Sequence, residues 1–443
     1  MSEVDPYMQL AEQTLKLARD LGGEWCEVSV AASRHIGVSL EKTAVKTAES
    51  GRGEGGAIRV FVRGAMGYAT WGGLDENRAL ASARRVVEMA KEGTPDPDFK
   101  SLPGPEAAEP VAGLYDPAIA AMTVEDVVNL AVANIRLARE MEKGVNLGGQ
   151  ISLSASEGVL ATSTGIRLAR RRTNLDAEIE ALVTRGDDKG YFYDFDSGRM
   201  RGDCLIEELA RPALEGARKM LGAKRVGSGR MAIVLGPIAA ADFLEDLVAA
   251  ANAESIQRNR SYLCGKLGKQ VAGEVVTVTD HGLVPRGLFS GEYDSEGAPR
   301  RRVAVYNGGV FAAQLHNSYT ANKAGEPNTG HATRGGGIQH TNLIPALGER
   351  AAEEIIRETG EGLYLAISHF SPNPASGDLS ASVDFGFRIS GGRIVHAVEN
   401  AMVAGNMLEL ASRIDAVSSD FRDEPGNPMP TVRIQDVQVI GTE

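Results

Sequence analysis

Beyond Gly227 the chain becomes a succession of short β-rich runs separated by glycine, at 275–279, 302–306, 363–367, 380–389, 393–396 and 432–439. Segments this short can bury their apolar side chains only by pairing into sheets. The C-terminal half is therefore expected to be a β-rich, barrel-like domain with a few helices, near 242–257 and 347–359. It opens on an apolar strand at 231–235 and a turn at Gly236-Pro237. Phe243, Leu244, Leu247, Val248 and Ala251 then recur at helical spacing.

The N-terminal half has a different rhythm. A helix over 7–20 carries Leu10, Leu15, Leu17 and Ala18 and stops at Gly22-Gly23; strands follow at 25–31, 35–40 and 57–62, and then a helix at 76–90. Pro95, Pro97, Pro103, Pro105 and Pro110 mark a linker or irregular crossing over 94–113. The theme then repeats, with a Thr123-capped helix over 123–139, strands at 151–155, 166–172 and 175–183, and a helix at 205–221. Helix, β-meander and helix, twice over, predict two sheets with helices packed on one face. The fold class is α+β, with N-terminal α/β subdomains at 1–105 and 115–226 and the β-rich domain at 227–443.

A net charge of −12 over 443 residues argues against gripping phosphate backbones. The basic runs 170–172 and 300–302 are expected on strands, which would split each between two faces. Cys26, Cys204 and Cys264 show no paired spacing, so neither a disulfide framework nor a cysteine zinc site is expected. The N-terminus lacks a basic region followed by an apolar core, and the most apolar later window is broken by Asp242, Glu245 and Asp246, so a cytoplasmic location without membrane contact is expected. Gly51-Arg-Gly-Glu-Gly-Gly56 fits the dinucleotide fingerprint by letter, but it leads into a strand and no helix follows to hold a pyrophosphate. A plain turn is expected there.

The densest group of reactive side chains is Tyr293, Asp294, Glu296 and Gly297, followed by a hairpin at Asn307-Gly308 and then His316. Carboxylates beside an imidazole can supply acid–base chemistry or hold a substrate amine. They can equally satisfy backbone donors in a glycine-rich turn, with His316 closing a strand end.

The block Asp294-Ser-Glu-Gly297, the hairpin Asn307-Gly-Gly309 with Leu315-His-Asn-Ser-Tyr-Thr-Ala-Asn-Lys-Ala-Gly325, the pair Gly362-Leu-Tyr and Ser376-Gly-Asp, and Val398-Glu-Asn-Ala-Met-Val-Ala-Gly-Asn406 together resemble the TldD/PmbA family. The resemblance implies relatives known as modulators of DNA gyrase and cytoplasmic metallopeptidases of two related subunits. In the zinc-carrying subunit, a helix holds His-Glu-x-x-x-His. The corresponding window here is 245–250, where Glu245, Asp246 and Ala250 form a degenerate motif without imidazole. The zinc subunit also has a cysteine ligand near its C-terminus, whereas no cysteine follows Cys264.

The chain thus resembles the PmbA (TldE) type. The implied function is that of the metal-free subunit of a heterodimeric zinc metallopeptidase, enclosing and binding unfolded or leader peptides for processing. On that reading this chain holds no cofactor and no catalytic residue. Zinc resides in a TldD-like partner, and Tyr293, Asp294, Glu296, Gly297 and His316 are the candidate peptide-binding residues. Glycine-flanked edge strands would capture extended chains by strand addition. Two alternatives remain open: a self-associating, homodimeric peptide-binding or scaffolding protein with no peptidase role, and an autonomous hydrolase using Glu245, Asp246 or the Asp294, Glu296 and His316 group.

Overall fold

The computed structural model describes residues 5–442. Helix α1 (Asp5–Asp20) buries Leu10, Ala11, Leu15 and Ala18 along one stripe. Three antiparallel strands follow, β1 (Trp25–Glu41), β2 (Ala44–Val62) and β3 (Ala65–Gly72), and then α2 (Glu76–Glu92), capped by the Asp75 side chain. After an irregular crossing come α3 (Pro117–Ala121) and α4 (Val124–Met141), which starts in a capping box between Thr123 and Asp126. β4 (Asn146–Thr162), β5 (Arg167–Arg185), β6 (Asp188–Gly198) and α5 (Ala210–Lys219) complete the repeat.

The two meanders are not two sheets. β1 pairs with β4, so one six-stranded sheet runs β3-β2-β1-β4-β5-β6. The strands expected at 25–31 and 35–40 are likewise one. Val28, Val30 and Ala32 lie in one core, and Ile36, Val38 and Leu40 in the next, with no change of phase between them. Arg34 stands on the same face at the seam, donating to the carbonyls of Ala120 at 2.8 Å and Met122 at 2.5 Å. All the helices of this half cover that face, as the pattern predicted. The opposite face carries Ser29, Ala31 and Ser33, and among the described residues no helix of this half packs on it.

The glycine run 51–56 is not a turn but the middle of β2, with Gly51, Gly53 and Gly55 opposite His35, Ser33 and Ala31. A Cβ on Gly56 would come within 2.1 Å of the Trp71 ring, so the glycine there makes room for the indole.

The C-terminal part begins with β7 (Lys224–Arg225), β8 (Gly229–Leu235) and α6 (Pro237–Ala249). The helix expected over 242–257 starts earlier, on Pro237, and breaks before α7 (Ala253–Gln257). The Asn252 side chain accepts from the N–H groups of Glu254 and Ser255, so it begins a new helix and ends the old one. β9 (Val278–His281), β10 (Arg302–Asn307), β11 (Val310–Phe311), α8 (Ser318–Ala324) and β12 (Leu343–Pro345) follow. The hairpin expected at Asn307 turns on Gly308 and Gly309, both at positive φ. After α9 (Ala352–Thr359) come β13 (Gly362–Ile367), β14 (Asp378–Ser382), β15 (Phe385–Ser390), β16 (Arg393–Glu399), β17 (Met402–Asn406), α10 (Met407–Ser412), β18 (Ile414–Glu424) and β19 (Asn427–Ile440).

Strands β9 to β12 form a four-stranded sheet. The remaining strands make a curled, open half-barrel ordered β14-β17-β19-β8-β13-β15-β16-β7, with β18 on β19. Helix α6 buries Phe243, Leu244, Leu247 and Val248 in its core. The α+β class, with helices on β-meanders followed by a barrel-like β domain, is what the structure shows.

Candidate functional site

The Asp294 loop lies between β9 and β10 and is pinned against the N-terminal sheet. Asp294 is fully buried. Its Oδ1 accepts from the N–H groups of Glu296 (2.9 Å) and Ala298 (3.0 Å), and its Oδ2 from that of Ala332 (3.0 Å). Burial, then the nearby Glu296 charge, push its carboxyl up to about 6. Glu296 Oε2 accepts from Ser318 N–H (3.1 Å) and Ser318 Oγ (2.5 Å), at the start of α8. Its Oε1 accepts from Arg59 Nη2 at 2.8 Å, and the same nitrogen donates to Glu27 Oε2 at 2.8 Å. A buried Glu27–Arg59–Glu296 triad therefore clamps the C-terminal domain onto β1 and β2. Burial opposes the Arg59 charge, but the two glutamates outweigh it and hold the guanidinium above its ordinary pKa.

Of the other candidates, Tyr293 reaches away from the loop: its hydroxyl donates to the Glu106 carbonyl (3.2 Å) and accepts from Ala108 N–H (3.3 Å), tying down the proline-rich crossing. Gly297, at positive φ, faces the turn between β4 and β5, where a Cβ would sit 3.0 Å from Ile166. His316 is buried, with Nδ1 3.2 Å from Thr320 Oγ1, and burial pushes its pKa down, which keeps the imidazole neutral at pH 7. The fold thus gathers Asp294, Glu296 and His316 around the start of α8. The sequence reading missed a buried pair close by: His331 Nε2 lies 2.9 Å from Asp280 Oδ1, and Asp280 also accepts from Thr341 N–H at 2.6 Å. A histidine in the glycine-rich stretch 330–337 was its only signal.

The open volume lies beside this loop. A cleft of about 570 Å³ spreads over the helix-free face of the N-terminal sheet, floored by Ser29, Ala31, Ser33, Gly53, Gly55 and Gly158. Tyr68, Arg170 and Arg172 wall it, and Ser295 and Arg334 cover it from the C-terminal domain. From the Asp294 loop only Ser295 lines it. The basic run 170–172 is split as expected, with Arg170 and Arg172 facing this cleft while Arg171 faces another hollow with Tyr7 and Tyr115.

On α6, Glu245 is pushed up to about 7 by burial and by Asp242 and Asp246, and Asp246 up to about 6 by burial and Asp242. Asp246 Oδ2 is buried without a partner. His369 Nδ1 approaches Asp242 at 3.6 Å, and the Asp242 carboxylate also accepts from Phe370 N–H at 2.8 Å. Ala250 offers only its carbonyl, which accepts from Ser261 Oγ. Zinc takes several nitrogen or sulfur ligands in protein sites. This oxygen-only helix does not fit the ion, and among the described residues no group of three or more His, Cys, Asp or Glu is arranged to hold a metal.

Fold and site together are a six-stranded sheet covered by helices on one face, joined to a β-rich half-barrel whose helix α6 carries carboxylates and no imidazole. The comparisons place it. Models of the PmbA/TldA metallopeptidase match in three parts, domain 1 over 26–92, the central domain over 117–221 and the C-terminal domain over 228–441. This chain belongs to the PmbA/TldD family. It is 26% identical over 410 residues to an uncharacterized protein of Methanocaldococcus jannaschii, covering 90% of this chain and 92% of that one. It is 23% identical to the metalloprotease PmbA of Escherichia coli O157:H7, over 100% of this chain and 98% of that one. The crystal structure of TldE from Thermococcus kodakarensis has the same fold, with a TM-score of 0.89 at 24% identity, covering 98% of this chain and 100% of that one. Among the described residues no helix is long and apolar enough to cross a membrane.

Proposed function

We propose that this chain is the metal-free subunit of a two-chain zinc peptidase, which pairs with a related HExxxH-bearing chain and presents an extended, unfolded peptide to it. The observation that carries this reading is α6, where the window that the resemblance matches to HExxxH, 245–250, holds Glu245, Asp246 and Ala250 and no imidazole. The cleft supports the peptide-handling half of the proposal. Its floor of small side chains admits a backbone, and β3, whose Tyr68 and Thr70 line it, is an edge strand available for strand addition. Free thiols at Cys26, Cys204 and Cys264 suit work in the reducing cytoplasm.

The test is reconstitution. The purified chain alone should carry no stoichiometric zinc and leave unstructured peptides intact; cleavage should appear on mixing with the HExxxH chain and stop on chelation. About one tightly held zinc per lone chain after chelator dialysis would overturn the assignment.

A further inference from the structure

The acids lining the cleft are all engaged. Glu27 pairs with Arg59, Glu54 with Arg52 at 2.7 Å, and Glu157 with Arg171 at 3.6 Å. The bases are not. Arg170, Arg172 and Arg334 form no ion pair among the described residues, and only Arg170 has a hydrogen bond, from Nη2 to the Asp294 carbonyl at 2.5 Å. Arg59, which is 3% exposed and also lines the cleft, uses Nη2 for both glutamates while its Nε is buried with no partner. The guanidiniums crowd one another. Burial and then Arg172 push Arg170 down to about 10, and Arg172 is pushed down by burial and by Arg300. The chain is acidic overall, yet the unneutralised charge of this cleft is positive.

We infer that the cleft is a carboxylate receptor, in which Arg172 and Arg334, with Arg170 behind them, bind the C-terminal carboxylate or an acidic side chain of an extended peptide. Planar forks match carboxylates two bonds at a time, and a bound anion relieves the mutual repulsion of the arginines. The cleft joins both halves of the chain, Arg170 and Arg172 coming from β5 and Arg334 from the segment after α8, so the receptor exists only when the Glu27–Arg59–Glu296 clamp is closed. This inference rests on the peptide-presenting reading and names the kind of peptide presented.

The test uses the lone full-length chain and fluorescence anisotropy. The probe is a fluorescein-labelled octapeptide of Ser, Thr and Gly ending in Asp-Asp with a free carboxylate; its control ends in Asn-Asn-amide. The acidic probe should bind more tightly, and the Arg172→Gln/Arg334→Gln double variant should weaken it about 10–100-fold, the loss that accompanies charge-assisted hydrogen bonds, while leaving the amide unchanged. Arg185→Gln, at the far end of β5 against Glu142, should change nothing. If the double variant does not fold, Arg334→Gln alone, on an exposed side chain, should still weaken the acidic probe selectively. Equal affinity for the two peptides, arginine-independent binding, or inorganic phosphate binding more tightly than the acidic probe would each overturn the inference. Because no partner is present, such a failure leaves the subunit assignment standing, whereas zinc in the lone chain sinks the assignment and leaves this result intact.

Discussion

Replacing Arg59 by Met removes the one cation shared by Glu27 and Glu296 while keeping most of the buried stem. Arg59 is 3% exposed, Glu27 9% and Glu296 2%, so neither carboxylate can turn to water without opening the junction between domains. Each can instead take up a proton. Against an ordinary glutamate pKa of ~4.3, holding one carboxyl neutral costs about 4 kcal/mol at pH 7 and about 1 kcal/mol at pH 5, at 1.36 kcal/mol per unit. Removing one partner of a buried pair costs ~3–5 kcal/mol, and the remaining Ser318 bonds soften the loss at Glu296. The expected deficit is therefore ~3–5 kcal/mol at pH 7. The sign follows from linkage. Burial already pushes the Glu27 carboxyl up against the opposing pull of Arg59; with Arg59 gone it rises further and binds more protons folded than unfolded, so the deficit is smallest near pH 5 and grows as pH rises. Urea unfolding followed by tryptophan fluorescence reads this directly, since Trp25 and Trp71 both lie in the sheet that carries Glu27 and Arg59. A loss below ~1 kcal/mol at pH 7, or one that does not vary between pH 5 and 7.5, would refute the clamp.

Changing Asp294 to Asn together with Glu296 to Gln should lower the unfolding midpoint by the equivalent of ~2–6 kcal/mol, because each amide turns a donor toward an N–H that the carboxylate accepted, and should leave peptide affinity unchanged. Intact stability with reduced affinity for basic peptides would assign both residues to substrate binding. Glu245, raised to about 7 by burial, makes the folded chain bind more protons than the unfolded chain between about pH 4.5 and 7, so its contribution falls as pH rises through that window. Glu245→Gln should therefore stabilise the chain at pH 8, on the order of 1–3 kcal/mol, and flatten the pH dependence of its melting temperature. Gly56→Ala should destabilise by ~1–3 kcal/mol, since the new methyl meets the Trp71 ring; an unchanged melting temperature would show that the indole has room to move.

Elements whose determinants are local were legible. Thr123 with Asp126 announces α4, and Asn307-Gly308-Gly309 announces its hairpin. What misled was local sequence at positions governed by distant chain. Ser33-Arg34-His35 looks like a break because the apolar alternation lapses, yet β1 runs straight through, held between β2 and β4, and Arg34 is accommodated by carbonyls 86 and 88 residues away. Asn252 erred in the opposite sense: a cap inside a helical pattern signals an end, but the apolar spacing around it hid the break. The one-sheet arrangement depends on β1 finding β4 more than a hundred residues on, and no window of sequence contains that pairing.

The same argument separates what was visible at the site from what was not. The acids and glycines of the Asp294 loop were conspicuous because they are dense in sequence, and density in a glycine-rich loop is as well explained by backbone donors as by chemistry. The arginines of the cleft were inconspicuous, since a basic run in an acidic chain reads as a solvated surface. Their significance comes from pairing: the glutamates on the cleft each have a cation, while Arg172 and Arg334 form no ion pair among the described residues. Which charges are neutralised depends on separations such as the 237 residues between Arg59 and Glu296, a quantity that composition cannot express. A chain of net charge −12 can thus build a positive cleft without basic residues in excess, provided the acids are matched elsewhere by folding.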